Sequence, residues 1–478
     1  MLFNSYVYIL AFLPISLIIY WLLVRLRYVT AAKLWLVAAS FYFYGWWDVR
    51  YVPLLAASVL FNYGAGRWLA SSGQAASGQA AQPDSSKRRR TSQGTRRLVL
   101  GLAIAANIAL LGVFKYTDFF IENLNALLQT NWQLLGIILP IGISFYTFSQ
   151  ITYLVDSYKG EVRENSLLNY SLFVTFFPQL IAGPILHHRE MMPQFADPAN
   201  YRVNMRNMAL GVTVFITGLV KKVVIADTLA PFANYGFDQA TSLTLLEAWA
   251  TSLSYTFQLY FDFSGYSDMA IGAALLFNIK LPFNFNSPYK SLNIQVFWRR
   301  WHMTLGRFLM NYIYIPLGGN RRGKLRTYRN LMITFLIGGF WHGAGWTFIF
   351  WGFLHGAALI VHRIWKEFNI KLPKLVSWLL TFLFVNISWV FFRATEWEDA
   401  LKVLRGMVNF ESIGLGTAGL KEILLLAAAF LIAVALCNTN ELQERFRPNF
   451  VLAGAVAAGA VLALIQMNKI TEFLYFNF

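Results

Sequence analysis

The sequence predicts an all-α polytopic membrane protein, and three observations carry the prediction. Of 478 residues, 57% are hydrophobic and only 13% are charged, a balance that water-soluble globules do not keep. Apolar runs near the length that crosses a bilayer, about 20 residues, recur from one end to the other. The cations that give a formal net charge of +17 gather in short polar stretches between those runs. That is the positive-inside pattern of cytoplasmic loops, not a nucleic-acid surface.

In order, the runs are 5–24, 34–47, 51–70, 98–114, 134–155, 168–186, 207–226, 246–263, 266–282, 331–361, 375–392, 421–437 and 449–467. Those at 34–47 and 266–282 are short for a straight span, so tilted or re-entrant segments are expected and the total comes to about eleven spans. Residues 1–24 carry no charge and the first cations, Arg25 and Arg27, follow the apolar stretch. A cleavable leader would carry its charge ahead of that stretch, so this reads as a retained span with its N-terminus outside. Three spans then lead to 71–97, rich in Ser, Gly and Gln and carrying six cations. It reads as a flexible basic cytoplasmic loop. Aromatic clusters at 41–51 and 473–478 read as interfacial anchors. The single cysteine, Cys437, excludes an intrachain disulfide and a cysteine-rich metal site. No separate soluble domain is visible, so 1–478 reads as one domain.

The stretch 297–351 concentrates the chemistry. Wound as a helix, its first part places Trp298, Trp301, Leu305, Phe308, Leu309 and Tyr312 on one side. Arg299, Arg300, Thr304, Arg307 and Asn311 fall on the other, with His302 at the edge of the apolar side. Such a helix suits a membrane surface, rings inward and cations at the headgroups. A basic loop follows with Arg321, Arg322, Lys324, Arg326 and Arg329, after which 331–361 holds no Asp, Glu, Lys or Arg. His342 falls inside that run, about 16 Å from its start and near the middle of a layer about 30 Å thick.

An ionisable group at that depth is a functional-site hypothesis, and Gly338, Gly339, Gly343 and Gly345 admit close approach. The other reading is a neutral histidine bonded to a neighbouring helix, with glycines that serve packing. The run is either one steep helix or a broken pair turning near the glycines; the sequence leaves both open.

No Walker loop, dinucleotide fingerprint, nucleophile elbow or HExxH is present, and no Cys and His spacing suits zinc. What remains is imidazole as a general base near neutral pH, with His302 and His342 as candidate catalytic residues. His187 and His188 read as surface or loop residues. His355 and His362, seven apart on one helix face, read as packing or snorkelling groups.

The block YFDFSGYSDMAIG (260–272) carries Asp262, Ser264, Tyr266 and Asp268, and LPFNFNSPY (281–289) carries Asn286. With Trp298, Arg299, Arg300, Trp301 and Trp341 they form the candidate substrate-binding set. The carboxylates either orient a histidine or line a polar cavity, or else they mark a turn at an interface, since Ser264 and Gly265 suit a break.

Those two blocks, with PIGISFYTFSQITYLVDSY (140–158), FFPQLIAGPI (176–185), FWRRWHMTL and GGFWHGAGWTFIFWG, resemble the membrane-bound O-acyltransferase family, in particular its bacterial alginate O-acetyltransferase-like branch. The resemblance runs over nearly the whole chain, with the motifs in the same order. It implies a ring of about eleven membrane helices, plus re-entrant and interfacial ones, around a thin centre where two cavities meet. It implies His342 as the catalytic group and His302 as a second important one.

It also implies acetyl-CoA as a donor docking on the cytoplasmic side near 297–312 and 321–329, with no tightly bound cofactor and no metal. The acceptor would be a serine of a periplasmic acyl-accepting partner or a hydroxyl of an extracytoplasmic polysaccharide such as alginate, at a bacterial inner membrane. The long loop at 71–97 departs from the family pattern. A rival reading is a transporter for polysaccharide or a lipid carrier, with the histidines as proton relays; inverted repeats would favour it, and none is visible.

Overall fold

The computed structural model describes residues 1–76, 92–162, 166–181, 183–414, 416, 419–467 and 473–474. Among them every regular element is helical, as a chain that must satisfy its backbone within lipid requires. Among the described residues five helical segments are long and apolar enough to cross a membrane: Val7–Arg25, Gln93–Lys115, Met205–Gln239, Trp346–Phe368 and Lys374–Arg393. The other expected spans fall in helices that are shorter or more polar. The chain divides into two compact units, Met1–Gly211 with Ala273–Pro282, and Val212–Gly272 with Phe283–Phe478.

The first unit contains α1 (Leu13–Arg25), α2 (Val29–Gly45), α3 (Val52–Ala76), α4 (Gln93–Lys115) and α5 (Thr117–Leu128). It continues through α6 (Ile143–Tyr158), α7 (Leu167–Thr175), α8 (Phe177–Leu180) and α9 (His188–Ala196), and α10 (Met205–Leu219) begins in it. Of the loop expected at 71–97, residues 77–91 lie outside the described residues, and the flanks are helical ends of α3 and α4.

Leu69, Ala103 and Leu154 bring α3, α4 and α6 to one core. Beside it lies a polar knot. Asn62 and Asn107 exchange amide hydrogen bonds of 3.2 and 2.7 Å, and Gln150 accepts from Asn62 at 3.0 Å and from Ser58 at 2.9 Å. Side-chain amides pin the three helices together across surroundings that are otherwise apolar.

Two of the apolar runs are not continuous helices. In 134–155 the helix starts only at Ile143, because Gly136 and Gly142 take positive φ and Pro140 intervenes. The stretch before it is held on α5 by Asp118, which accepts from the N–H groups of Leu135 and Gly136 at 2.8 and 2.9 Å. In 168–186 the helix stops at Thr175, and Pro178 opens the four-residue α8. His188, expected at the surface, is instead buried at the start of α9 with its Nδ1 3.2 Å from the Asp156 carboxylate.

In the second unit α10 runs on through a π-helical stretch, Val220–Ala226, into α11 (Asp227–Asn234). Between the runs 246–263 and 266–282, a break at Ser264 and Gly265 was one of the two readings left open. Instead α12 (Leu245–Leu276) passes through both without interruption. Gly265 faces Gly218 of α10: a Cβ on Gly218 would stand 2.5 Å from the Gly265 carbonyl oxygen, and one on Gly265 would stand 2.7 Å from that of Gly218. The glycine serves contact between two helix backbones, not a break.

The helix expected from 297 to 312 is broken. α13 (Ile294–Trp298) and α14 (Met303–Leu309) are separated by a turn in which His302 takes φ 42, a left-handed conformation rare for a non-glycine residue. Trp301, Leu305 and Phe308 are buried, so the apolar side is as read while the continuous helix is not.

The run 331–361 resolves as a broken pair. α15 (Lys324–His342) and α16 (Trp346–Trp365) form an antiparallel hairpin around Gly343–Gly345, with Gly339 against Gly352 and Gly356 against Met332. α17 (Lys374–Arg393), α18 (Trp397–Met407), α19 (Leu420–Val434), α20 (Thr439–Glu444) and α21 (Phe450–Gln466) complete the unit. Of the cluster at 473–478, residues 475–478 lie outside the described residues. Phe473 is no interfacial anchor: it is buried and stacks on Tyr266 with ring centroids 4.4 Å apart.

Asn62→Leu leaves Asn107 and Gln150 short of a partner, and thermal unfolding in detergent is expected to show a loss of about 1 to 2 kcal/mol. Gly218→Val, which drives a side chain into the backbone of α12, is expected to cost about 1 to 3 kcal/mol in the same measurement.

Candidate active site

His342 is the last residue of α15, and the extended backbone of Gly343 ends the helix there. Counting from Lys324 at about 1.5 Å per residue, the imidazole stands about 27 Å along the helix axis, at a hairpin tip and not midway along a span. The opposite end of this group of helices is basic: α15 starts there, α16 ends there, and Lys324 pairs with Glu367 at 2.7 Å. The His342 end also carries Phe392, next to Arg393, which pairs with Asp238 at 2.5 Å.

Aromatic rings enclose His342. Trp341 lies at 4.9 Å between centroids, Trp351 at 5.1 Å and Phe392 at 5.1 Å. Trp351 in turn stacks on Trp389 at 5.6 Å. The imidazole is 3% exposed, so bulk water is excluded from it while its neighbours stay apolar.

His302 comes to the same place from another element. Its ring centroid is 6.5 Å from that of His342 and 6.3 Å from that of Trp341. Phe263 of α12 stands nearly perpendicular to it at 4.7 Å. Its Nδ1 is 3.3 Å from Oδ1 of Asn284, and the same oxygen accepts from the Thr304 hydroxyl at 2.6 Å and from the Thr304 N–H at 3.4 Å. Two histidines 40 positions apart in the chain are thus neighbours among aromatic rings, which shield an imidazole base from competing water.

The other candidates separate into groups. Trp298 donates through Nε1 to Nδ1 of His355 at 3.2 Å, and His355 Nε2 lies 3.0 Å from the Ser388 oxygen, whose own hydroxyl donates to Val385. His355 is therefore fully engaged in tying α13, α16 and α17 together, in keeping with a packing role. Trp301 is buried and stacks on Phe297 at 5.7 Å. Arg299 is exposed and Arg300 half-buried, the latter accepting at its carbonyl from the Asn286 N–H at 2.9 Å. Asn286 is itself exposed and its side-chain oxygen accepts from Asn438 at 2.8 Å.

Neither carboxylate of α12 marks a turn. Asp262 is bound by Lys222 at 2.6 Å, and the same ammonium reaches Asp227 at 2.7 Å. Asp268 is bound by Lys221 at 2.7 Å and accepts from the Thr439 hydroxyl at 2.6 Å. Ser264 and Asp268, with Lys221, Ser267, Asn284 and Thr439, line a pocket of about 10 Å³, room for about one water. Tyr266 is occupied by its stack with Phe473. Among the described residues no three of His, Cys, Asp and Glu converge as metal ligands would.

Sequence reasoning missed Asn284, Lys221 and Lys222. The lysines had a signal: two adjacent ammonium groups inside the apolar run 207–226 call for carboxylates at the same depth, and Asp262 and Asp268 were the ones in view. Asn284 had none, because its role depends on a turn that periodicity does not reveal.

The sequence profile described as MBOAT, the membrane-bound O-acyltransferase family, matches residues 122–395 and so includes both histidines. The chain is 53% identical to a Peptidoglycan O-acetyltransferase of Helicobacter pylori, over 87% of this chain and 81% of that one. It is 40% identical to a Probable alginate O-acetylase AlgI of Azotobacter vinelandii, over 86% of this chain and 78% of that one. A Teichoic acid D-alanyltransferase of Streptococcus thermophilus is 29% identical over 47% of this chain and 57% of its own length.

Lys222→Met strands Asp262 and Asp227 without their cation, a loss expected to be about 3 to 5 kcal/mol. Adding Asp262→Asn to the same protein is expected to return part of it, as read by thermal unfolding of the two variants side by side.

Proposed function

Because the chain belongs to the membrane-bound O-acyltransferase family, we propose that it moves an acetyl group from acetyl-CoA to a hydroxyl acceptor across the membrane, with His342 as the general base. The observation that carries this reading is the pair of buried imidazoles, 6.5 Å between centroids, closed in by aromatic rings at the end of the hairpin opposite its basic end. The basic end is the cytoplasmic one by the positive-inside bias. Arg321, Arg322 and Arg326 suit the phosphates of the donor there.

The thioester reaches the imidazoles from the basic end and the hydroxyl from the other. As the hydroxyl oxygen bonds to the acetyl carbon, the His342 imidazole takes its proton; as the carbon–sulfur bond breaks, the imidazolium returns that proton to the leaving thiolate. Ester and free thiol are the products, and no further reactant is needed. Trp341, Trp351 and Phe392 keep water from hydrolysing the thioester instead. The names of the relatives point to a polymer acceptor, peptidoglycan or a polysaccharide such as alginate, reached directly or through the serine of a periplasmic acyl-accepting partner. The membrane is then the bacterial inner membrane, with the N-terminus outside.

Purified protein supplied with radiolabelled acetyl-CoA and acceptor is expected to transfer label, and His342→Ala to lower the rate about 10² to 10⁴ fold with thermal unfolding unchanged. A folded His342→Ala protein that transfers at the wild-type rate would remove the assignment.

A further inference from the structure

The geometry points to Asn284 as a positioning residue that holds His302 in its Nδ1–H tautomer, so that Nε2 of His302 is a proton acceptor facing the needs of His342. This rests on the reading of the two histidines as the acid–base centre.

Asn284 is 1% exposed. Its Oδ1 accepts from the Thr304 N–H at 3.4 Å and the Thr304 hydroxyl at 2.6 Å. A backbone N–H only donates, so the amide is oriented with its oxygen, not its nitrogen, toward this cluster. The same oxygen lies 3.3 Å from His302 Nδ1. An acceptor oxygen at that nitrogen requires the proton to be there, and a neutral imidazole then carries its lone pair on Nε2.

The backbone adds a second grip. Asn284 accepts at its carbonyl from the Met303 N–H at 2.9 Å, while His302 sits in a strained left-handed conformation with φ 42. One residue therefore holds the side chain of 302, the N–H of 303 and the side chain of 304. On its other side, Asn284 Nδ2 reaches Ser267 Oγ at 3.5 Å, beside the water-sized pocket.

An acceptor at Nε2 has a use. When His342 has taken a proton from the hydroxyl, its imidazolium has two N–H groups, one aimed at the leaving thiolate. The other is received by His302 through one water, the ring centroids being 6.5 Å apart, too far for a direct hydrogen bond between nitrogens. His302 thereby stabilises the charged His342 and keeps it turned correctly, the part a carboxylate plays toward the histidine of a hydrolase triad. The opposite tautomer of His302 would present an N–H, with no lone pair to receive that proton.

Of the elements packed against His302, α15 carries His342 beside it and Lys324, Arg326, Tyr328 and Arg329 in its first turns, and α12 carries Glu247, Tyr255, Tyr260, Asp262, Tyr266 and Asp268. Lys222 and Lys221 hold the two aspartates, and Arg299 and Arg300 precede His302 on its own turn.

The test uses the intact protein with three readouts: ¹⁵N spectra of histidine-labelled protein, steady-state transfer against pH, and thermal unfolding. Wild type is expected to show His302 protonated at Nδ1. Asn284→Ala is expected to lose that preference and to lower kcat by on the order of tenfold to a thousandfold, with the KM for the donor unchanged. Asn284→Asp keeps an acceptor oxygen and restores most of kcat, but its carboxylate favours a second proton on His302, so the acidic limb of the pH profile moves to higher pH. An Nε2–H signal for His302 in the wild type overturns the proposal. So does a folded Asn284→Ala protein with wild-type kcat, or equal losses in both variants that follow a fall in unfolding temperature. If the wild type transfers no acetyl group while the Nδ1–H signal is present, the enzymatic reading fails and the tautomer assignment stands.

Discussion

Polar side chains carried into apolar helices must find partners within the protein, because lipid supplies none. Much of this fold follows from that constraint. In the first unit Asn62, Asn107 and Gln150 join three helices. In the second, Lys221 and Lys222 bind Asp268 and Asp262, and they can do so because Gly218 and Gly265 let α10 and α12 touch backbone to backbone. The ion pairs are short and buried, and their main effect is to fix which faces of the two helices meet.

The same constraint sorts the histidines. His355 is engaged at both nitrogens, by Trp298 and Ser388, and His188 lies against Asp156. His342 and His302 stand instead among rings, and Asn284 makes a polar contact with His302. Aromatic walls give the site its shape and exclude water from it.

Much of this was legible in the sequence. The charge-free run with His342 and its glycines announced a buried imidazole in a tight helical neighbourhood, and the broken-pair alternative for 331–361 is the one observed. The all-helical class followed from composition. What was not legible depended on tertiary contact. Ser264 and Gly265 look like a break until Gly218 is placed opposite, and the 297–312 periodicity conceals a turn because Phe297 before it and Leu305 and Phe308 after it are all buried. Phe473 reads as an anchor until Tyr266 is found beneath it. In each case the local signal was real, and a partner remote in sequence decided its meaning.

The central claim is that donor and acceptor meet from opposite sides at the two imidazoles. Oriented proteoliposomes test it most directly, with radiolabelled acetyl-CoA confined to the side of the basic loops and acceptor polymer, with its accepting partner, confined to the other. Label is predicted to appear on the acceptor side while coenzyme A stays where it was added, and to vanish with His342→Ala. Transfer that occurs only when donor and acceptor share one side would contradict the account.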